Sequence, residues 1–122
     1  MYDKELAREL LSQILKSLDT VLERFAPVKT IEDFTNSSNG KEKLDGICMQ
    51  LIAIGEALKN LDKVTQHQLL PNYSDINWKG AMAMRDIISH HYFEIDAEVI
   101  FEVCKNKIHP MRDAIHKIQD RV

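Results

Sequence analysis

The chain has 122 residues, enough for one domain with a buried core and too few for two. Its 44% hydrophobic and 29% charged residues exclude wholesale disorder, and its four glycines, three prolines and 7% aromatics favour helices over strands. The formal net charge of −3 excludes a uniformly basic surface, so any contact with nucleic acid must be a local patch. We therefore predict a single helical domain over residues 1–122.

The first predicted helix runs from about Asp3 to Phe25 and stops before Pro27, which disfavours a helical residue ahead of it. Apolar residues recur along it at helical spacing: Leu6, Leu10, Ile14, Leu18, Val21 and Phe25. A connector rich in Thr, Asn and Ser follows, over residues 28–39.

The second predicted helix begins with Asn39 as its N-cap, because Glu42 stands three residues later in the spacing of a capping box. Its apolar stripe is Leu44, Ile47, Cys48, Leu51, Gly55, Leu58 and Leu61. A glycine inside a helix costs up to about 1 kcal/mol of helix propensity, so Gly55 indicates that another helix approaches closely there.

Two further helices are predicted after a polar linker, 63–74. The third begins between Asp75 and Asn77, ends near Phe93 and turns Trp78, Met82 and Ile88 inward. Asp96 caps the fourth, which Pro110 should kink or divide. The expected fold is therefore all-α, an antiparallel bundle of four long helices, the last kinked or divided at Pro110.

Several features bear on compartment and covalent chemistry. Cys48 and Cys104 lie among apolar residues at helical positions, which predicts buried thiols and not a disulfide. The first residues are charged and do not resemble a signal peptide, and no apolar run approaches membrane-spanning length. We expect a cytoplasmic protein that does not bind a membrane.

The most informative segment covers residues 85–92, near the end of the third predicted helix. Arg85 and Tyr92 are seven positions and about 20° apart on the helix, and His90 lies one turn beyond Asp86 on a neighbouring line. A guanidinium binds phosphate with two parallel hydrogen bonds, and a histidine transfers protons near pH 7. The combination suggests chemistry on a phosphodiester, with no set of metal ligands beside it.

Simpler interpretations compete with that one. Arg85 would be an ordinary surface arginine paired with a carboxylate, and His91 or Tyr92 would mark the edge of the core. Glu56, at the margin of the second stripe, is either a surface carboxylate or the group that orients Arg85 or His90.

Two sets of residues near the C-terminus have the same ambiguity. The basic ones form either an RNA-binding patch or a solvated helix face: Lys105, Lys107, His109, Arg112 and Lys117. A second set has the helical spacing of metal ligands, and its members are either ligands or ordinary polar residues on an exposed helix: His109, Asp113 and His116.

The spacing Arg85-x-x-x-x-His90-x-Tyr92 resembles the signature of HEPN-domain proteins of the HepT toxin type. The flanking segments 76–78 and 93–96 agree with that family, and residues 51–58 resemble its second-helix block; the convincing match covers about residues 44–110. One position departs from the pattern. Relatives commonly have glycine between the histidine and the tyrosine, where this chain has His91, which would perturb the helix end or add a second imidazole.

The resemblance implies a metal-independent endoribonuclease without a cofactor, the toxin of a type VII toxin–antitoxin pair. Arg85 and His90 would be catalytic, with Asp86, Glu56 and His91 in support. The toxin would act on RNA as a homodimer, and its partner, a minimal nucleotidyltransferase antitoxin, would transfer AMP to Tyr92. The sequence gives its own argument for a dimer, because Met84 and Phe93 have no obvious partner within one bundle.

Two other functions remain open at this point. One is a non-catalytic subunit that binds nucleotide or substrate for a nucleotidyltransferase, using the same motif to hold phosphate. The other is a helical assembly module whose site has degenerated.

Overall fold

The computed structural model describes residues 2–90 and 96–122 and, for His90, the backbone alone. Within these residues there are helices and no strand, which confirms the all-α prediction. Seven α-helices follow in chain order: α1 (Lys4–Phe25), α2 (Glu32–Thr35), α3 (Ser38–Val64), α4 (Trp78–Met82), α5 (Met84–His90), α6 (Ala97–Asn106) and α7 (Ile108–Arg121). A 3₁₀ turn covers Leu70–Asn72. None of the described helices is both long and apolar enough to cross a lipid bilayer.

Helix α1 is the central element of the bundle and runs antiparallel to both α3 and α7. Ser17 donates a hydrogen bond to Gln50, while Arg24, farther along α1, reaches back to the carbonyl of Gly46. On the other side, Arg8 donates to the carbonyl of Val122 at 2.6 Å. Four residues of the predicted apolar stripe of α1 are buried: Leu10, Ile14, Leu18 and Val21. Leu6, at the start of the stripe, is exposed, and Phe25, at its end, is half-buried.

The start of α3 differs from the prediction. Ser37 is its N-cap, not Asn39: Ser37 has extended backbone angles and its hydroxyl accepts the N–H of Gly40 at 3.0 Å. The unpredicted helix α2 explains the shift, since the backbone of Asp33 and Phe34 packs against the first turn of α3. A Cβ at Gly40 would lie 2.1 Å from that carbonyl oxygen, so α2 can dock there only against glycine.

The third predicted helix is broken into α4 and α5 at Ala83, whose ψ of −5° leaves the α-helical range. Trp78 and Ile88 are buried as expected, whereas Met84 is also buried and Met82 is only half-buried. The prediction that Met84 lacks a partner within one bundle is therefore wrong. Phe93, the other residue in that argument, lies outside the described residues.

The fourth predicted helix is divided into α6 and α7, as expected from Pro110. Asp96 caps α6 by accepting the N–H groups of Glu98 at 3.0 Å and Val99 at 3.3 Å. The division falls at Lys107, three residues before the proline. Proline has no N–H to donate to the carbonyl of Asn106, four residues earlier, and its ring would clash with that group. The interruption therefore appears one turn ahead of the residue that causes it.

Candidate active site

Helix α3 has no side chain at Gly55, and the end of α4 packs against its backbone there. A Cβ at this position would lie 2.8 Å from the carbonyl oxygen of Ala81 and 3.4 Å from that of Met82. The close approach expected of Gly55 is thus confirmed. This contact fixes the distance between α3 and the start of α5, close to Glu56.

Arg85 and Glu56 meet across the two helices. The Nη1 of Arg85 donates to the Oε1 of Glu56 at 3.3 Å, and the Nζ of Lys59 lies 3.7 Å from the same oxygen. The side chain of Arg85 is 60% exposed and those of Glu56 and Lys59 are each 43% exposed. Water screens charges this exposed, so the ion pairs orient the groups without contributing much to stability.

The orientation of α5 follows from its buried residues. Met84 and Ile88, four positions apart, face the core, and the residues between and after them, Arg85, Asp86, Ile87 and Ser89, are exposed. At about 100° per residue, burial of Met84 and Ile88 turns Arg85 toward the edge of the helix beside α3. The guanidinium therefore stands at the surface where solvent, or a phosphate, can reach it.

The structure describes only some of the other motif residues. Asp86 is exposed on α5. His90 is the last residue of α5, about 7.5 Å along the helix axis from Arg85. His91 and Tyr92 lie outside the described residues.

The cysteines are unsuited to act as nucleophiles. Both are buried in the core, as predicted, and burial raises the pKa of Cys48 to about 11 and that of Cys104 to about 12. The nucleophilic form of a cysteine is the thiolate, which is scarce near neutral pH when the pKa is this high.

The structure bears on the two other sets of residues that the sequence raised near the C-terminus. In residues 2–90 and 96–122, no three His, Cys, Asp or Glu side chains converge as metal ligands, so His109, Asp113 and His116 do not form such a group. The basic C-terminal residues are partly engaged within the protein. Arg112 is bound to Asp19, and the Nζ of Lys105 lies 5.9 Å from the centre of the Phe101 ring. Lys107, His109 and Lys117 are exposed, so these contacts engage only part of the basic set.

A cavity of about 310 Å³ lies between α3, the α4–α5 pair and the junction of α6 with α7. Ile54, Met84 and Met111 contribute to its largely apolar lining, and neither Glu56 nor Arg85 does. The ion pair thus stands on an open surface.

Lys59 is the member of this group that sequence reasoning missed. Its spacing of three residues from Glu56 places it on the same face of α3, which is a signal, but a common one. The contact of Glu56 with Arg85 joins two helices that are distant in sequence, and it is one of the two contacts that the sequence suggested for Glu56.

Comparison with known proteins gives a consistent result. The model of the "Ribonuclease HepT-like" family matches residues 11–118. The chain is 33% identical over 112 residues to "Gamma-glutamylcyclotransferase and putative RNase MJ0434" of Methanocaldococcus jannaschii, covering 92% of this chain and 47% of that protein. It therefore spans about half the length of this relative.

Two shorter relatives match as well. "Putative RNase MJ0127" of the same organism is 36% identical over 87 residues, which are 66% of this chain and 69% of the relative. "Putative RNase TTE0752" of Caldanaerobacter subterraneus is 28% identical over 111 residues, which are 91% of this chain and 92% of the relative. No solved structure gives a significant match.

Proposed function

Because the chain belongs to the HepT-like family of ribonucleases, we propose that Arg85 and His90 cleave RNA at the surface formed by α3 and α5. The observation that carries the proposal is the exposed guanidinium of Arg85, which the carboxylate of Glu56 orients from the facing helix. A guanidinium in this setting can exchange its carboxylate partner for a phosphate, to which it can donate two parallel hydrogen bonds.

The proposed mechanism uses the 2′-hydroxyl of the RNA as nucleophile and needs no metal ion. His90 acts as general acid and base, a role worth roughly 10²–10⁴-fold in rate, and Arg85 stabilises the charge that develops on the phosphorus oxygens. Asp86, one helical turn before His90, and the neighbouring His91 support the imidazole. The products are a 2′,3′-cyclic phosphate and a 5′-hydroxyl.

The test is cleavage of single-stranded RNA by the purified protein in excess EDTA, with the product ends identified by mass spectrometry. Cyclic phosphate ends, lost with His90→Ala, are expected. Activity that disappears with EDTA and returns with magnesium would contradict the metal-free mechanism. RNA binding without cleavage would instead favour the non-catalytic subunit of a nucleotidyltransferase.

The proposal includes a homodimer whose two sites share a cleft. Support comes from the open surface around Arg85 and from exposed apolar side chains beside it: Ile87 on α5 is 43% exposed, and Met49, two helical turns before Glu56 on α3, is 65% exposed. An interface between two copies of the chain at this surface would bury both side chains. Light scattering should give twice the mass of the chain at micromolar concentration, and a monomer there would rule out a composite site.

Regulation is proposed to act on Tyr92, through AMP transferred by a nucleotidyltransferase antitoxin. Tyr92 follows Arg85 by seven residues, a spacing that the sequence predicts to lie on nearly one face of a helix. An attached AMP would compete with RNA for the arginine and would fill the site. Tyr92→Phe should stay toxic when co-expressed with the partner, while the wild type is silenced and gains the mass of AMP. Equal silencing of both, without a mass increase, would show inhibition by simple binding.

A further inference from the structure

Lys59 and Arg85 come from different helices and converge on one oxygen atom. The Nζ of Lys59 is 3.7 Å, and the Nη1 of Arg85 3.3 Å, from the Oε1 of Glu56. The two cationic nitrogens are therefore at most 7.0 Å apart, the sum of these distances. A single carboxylate lies between them, so the trio carries a net charge of +1.

The two cations are held loosely. All three side chains are substantially exposed, and exposed ion pairs of this kind stabilise a fold very little. Both cations contact the same oxygen, the Oε1 of Glu56. A phosphodiester has two unesterified oxygens, so it can give each cation a separate oxygen. Lysine suits this exchange, because its ammonium is a compact charge on a flexible stem.

From this geometry we propose that Lys59 and Arg85 form a phosphate clamp that holds one phosphate of the RNA strand, with Glu56 as the group that the phosphate displaces. The inference rests on the proposed function and adds a binding residue on α3 that the Arg–His–Tyr motif does not contain. Arg85 contributes direction through its planar donors, and Lys59 contributes charge.

Lys63 provides a matched control. It lies one helical turn after Lys59 on α3, is exposed, and makes no ion pair with Glu56. Replacing either lysine by glutamine removes one positive charge from the same face of the same helix. General electrostatic attraction for RNA falls equally in both variants, so any difference between them reports the position of Lys59 beside Arg85.

The experiment measures fluorescence anisotropy of a labelled, fully 2′-O-methylated RNA oligonucleotide, which lacks the 2′-hydroxyl and can bind without being cleaved. Wild type, Lys59→Gln, Lys63→Gln and Lys59→Arg are titrated over a range of sodium chloride concentrations. Lys59→Gln should weaken binding at least threefold more than Lys63→Gln. It should also lower the slope of log affinity against log salt by about 0.7, the value for one phosphate contact to a single strand. Lys59→Arg should restore both.

Each other outcome overturns the clamp, for distinguishable reasons. Equal effects of Lys59→Gln and Lys63→Gln, with tight binding by the wild type, would remove Lys59 from the site and leave the proposed ribonuclease intact. A wild-type protein that neither binds the oligonucleotide nor cleaves unmodified RNA would overturn the clamp and the proposed function together.

Discussion

The molecule has two regions of different character. The frame, which consists of α1, α3 and α7, contains helices of 22, 27 and 14 residues whose apolar faces are almost wholly buried against one another. The site segment, residues 78–90, consists of helices of five and seven residues and carries Arg85 and His90. Helices this short are not stable alone in water. The segment therefore keeps its shape because it is docked on the frame, and its chemistry depends on how it is docked.

Two described contacts dock the segment on the frame: Ala81 rests on Gly55 of α3, and Met84 and Ile88 enter the core. The indole N–H of Trp78 donates to the carbonyl of Tyr73 at 2.9 Å, which ties the start of the segment to the linker before it. The Arg85–Glu56 pair is exposed and adds little to this docking. Substitutions in the frame should therefore change stability most, and those at the ion pair should change function with little change in stability.

The largest loss of stability is expected from the frame. Leu58 on α3 is fully buried. Leu58→Ala should lower the free energy of unfolding by about 2–5 kcal/mol, because it removes apolar burial and leaves a cavity. Urea denaturation followed by circular dichroism measures the change, with the exposed Asn60→Ala as control. A loss below about 1 kcal/mol would mean that the frame repacks freely.

A smaller loss, concentrated in the site segment, is expected from Gly55→Ala. The new methyl group would meet the carbonyl of Ala81 at 2.8 Å, and overpacking of this kind costs about 1–3 kcal/mol. Hydrogen exchange should accelerate in residues 78–90 more than in α1, and cleavage should fall with it.

Gly46→Ala is the matched control for that prediction. It lies on the same helix, and its Cβ would meet only the movable end of Arg24, at 3.3 Å. The gain in helix propensity, up to about 1 kcal/mol, should make it neutral or stabilising. If both substitutions behave alike, the close approach at Gly55 does not hold the segment in place.

The sequence predicts the frame more completely than it predicts the site segment. The stripe of α1, the burial of both cysteines, the cap at Asp96 and the close approach at Gly55 are predictable, since each follows from local periodicity or from one residue's chemistry. The break at Ala83 is not, because alanine is the best helix former and tertiary contacts override its preference.

The other errors have a similar origin. Three successive residues suit a helix cap, Ser37, Ser38 and Asn39, and the docking of α2 selects the first of them. The motif itself was visible as a spacing of Arg85 and His90. The sequence also indicates Glu56 as a carboxylate that orients Arg85 or His90, and Glu56 contacts Arg85. Lys59 is not predictable, because one surface lysine on α3 resembles any other until the fold is known.

An intermediate effect is expected at the entrance to the segment. The side chain of Asn77 accepts the N–H of Gly80 at 3.0 Å and caps α4. Asn77→Ala should lower the free energy of unfolding by roughly 1 kcal/mol, the usual cost of losing such a cap. Thermal denaturation measures it, and Asn77→Asp, which retains the acceptor, should be close to wild type. An unchanged midpoint for Asn77→Ala would show that tertiary contacts alone fix the start of α4.

The smallest change in stability, and an opposite change in binding, is expected from Glu56→Gln. The loss of an exposed ion pair should cost less than about 1 kcal/mol. RNA should bind more tightly because the negative charge that the phosphate must displace is gone, while the cleavage rate of bound RNA should stay close to that of the wild type because Glu56 no longer contacts Arg85 in that state. Anisotropy and single-turnover cleavage measure the two effects separately. Weaker RNA binding by this variant would contradict the placement of the phosphate at Arg85.

The central claim is that Arg85, presented by Glu56 on the docked segment, holds the phosphate that is cleaved. Arg85→Lys tests it most directly, because lysine keeps the charge and loses the planar two-pronged donor. The measurement is single-turnover cleavage of RNA in EDTA, alongside thermal denaturation of the same samples. We predict an unchanged unfolding midpoint and a cleavage rate at least about tenfold lower, the loss of roughly 1.4 kcal/mol of transition-state stabilisation. Wild-type cleavage by Arg85→Lys, with the midpoint unchanged, would show that Arg85 is an ordinary surface arginine and would contradict the account.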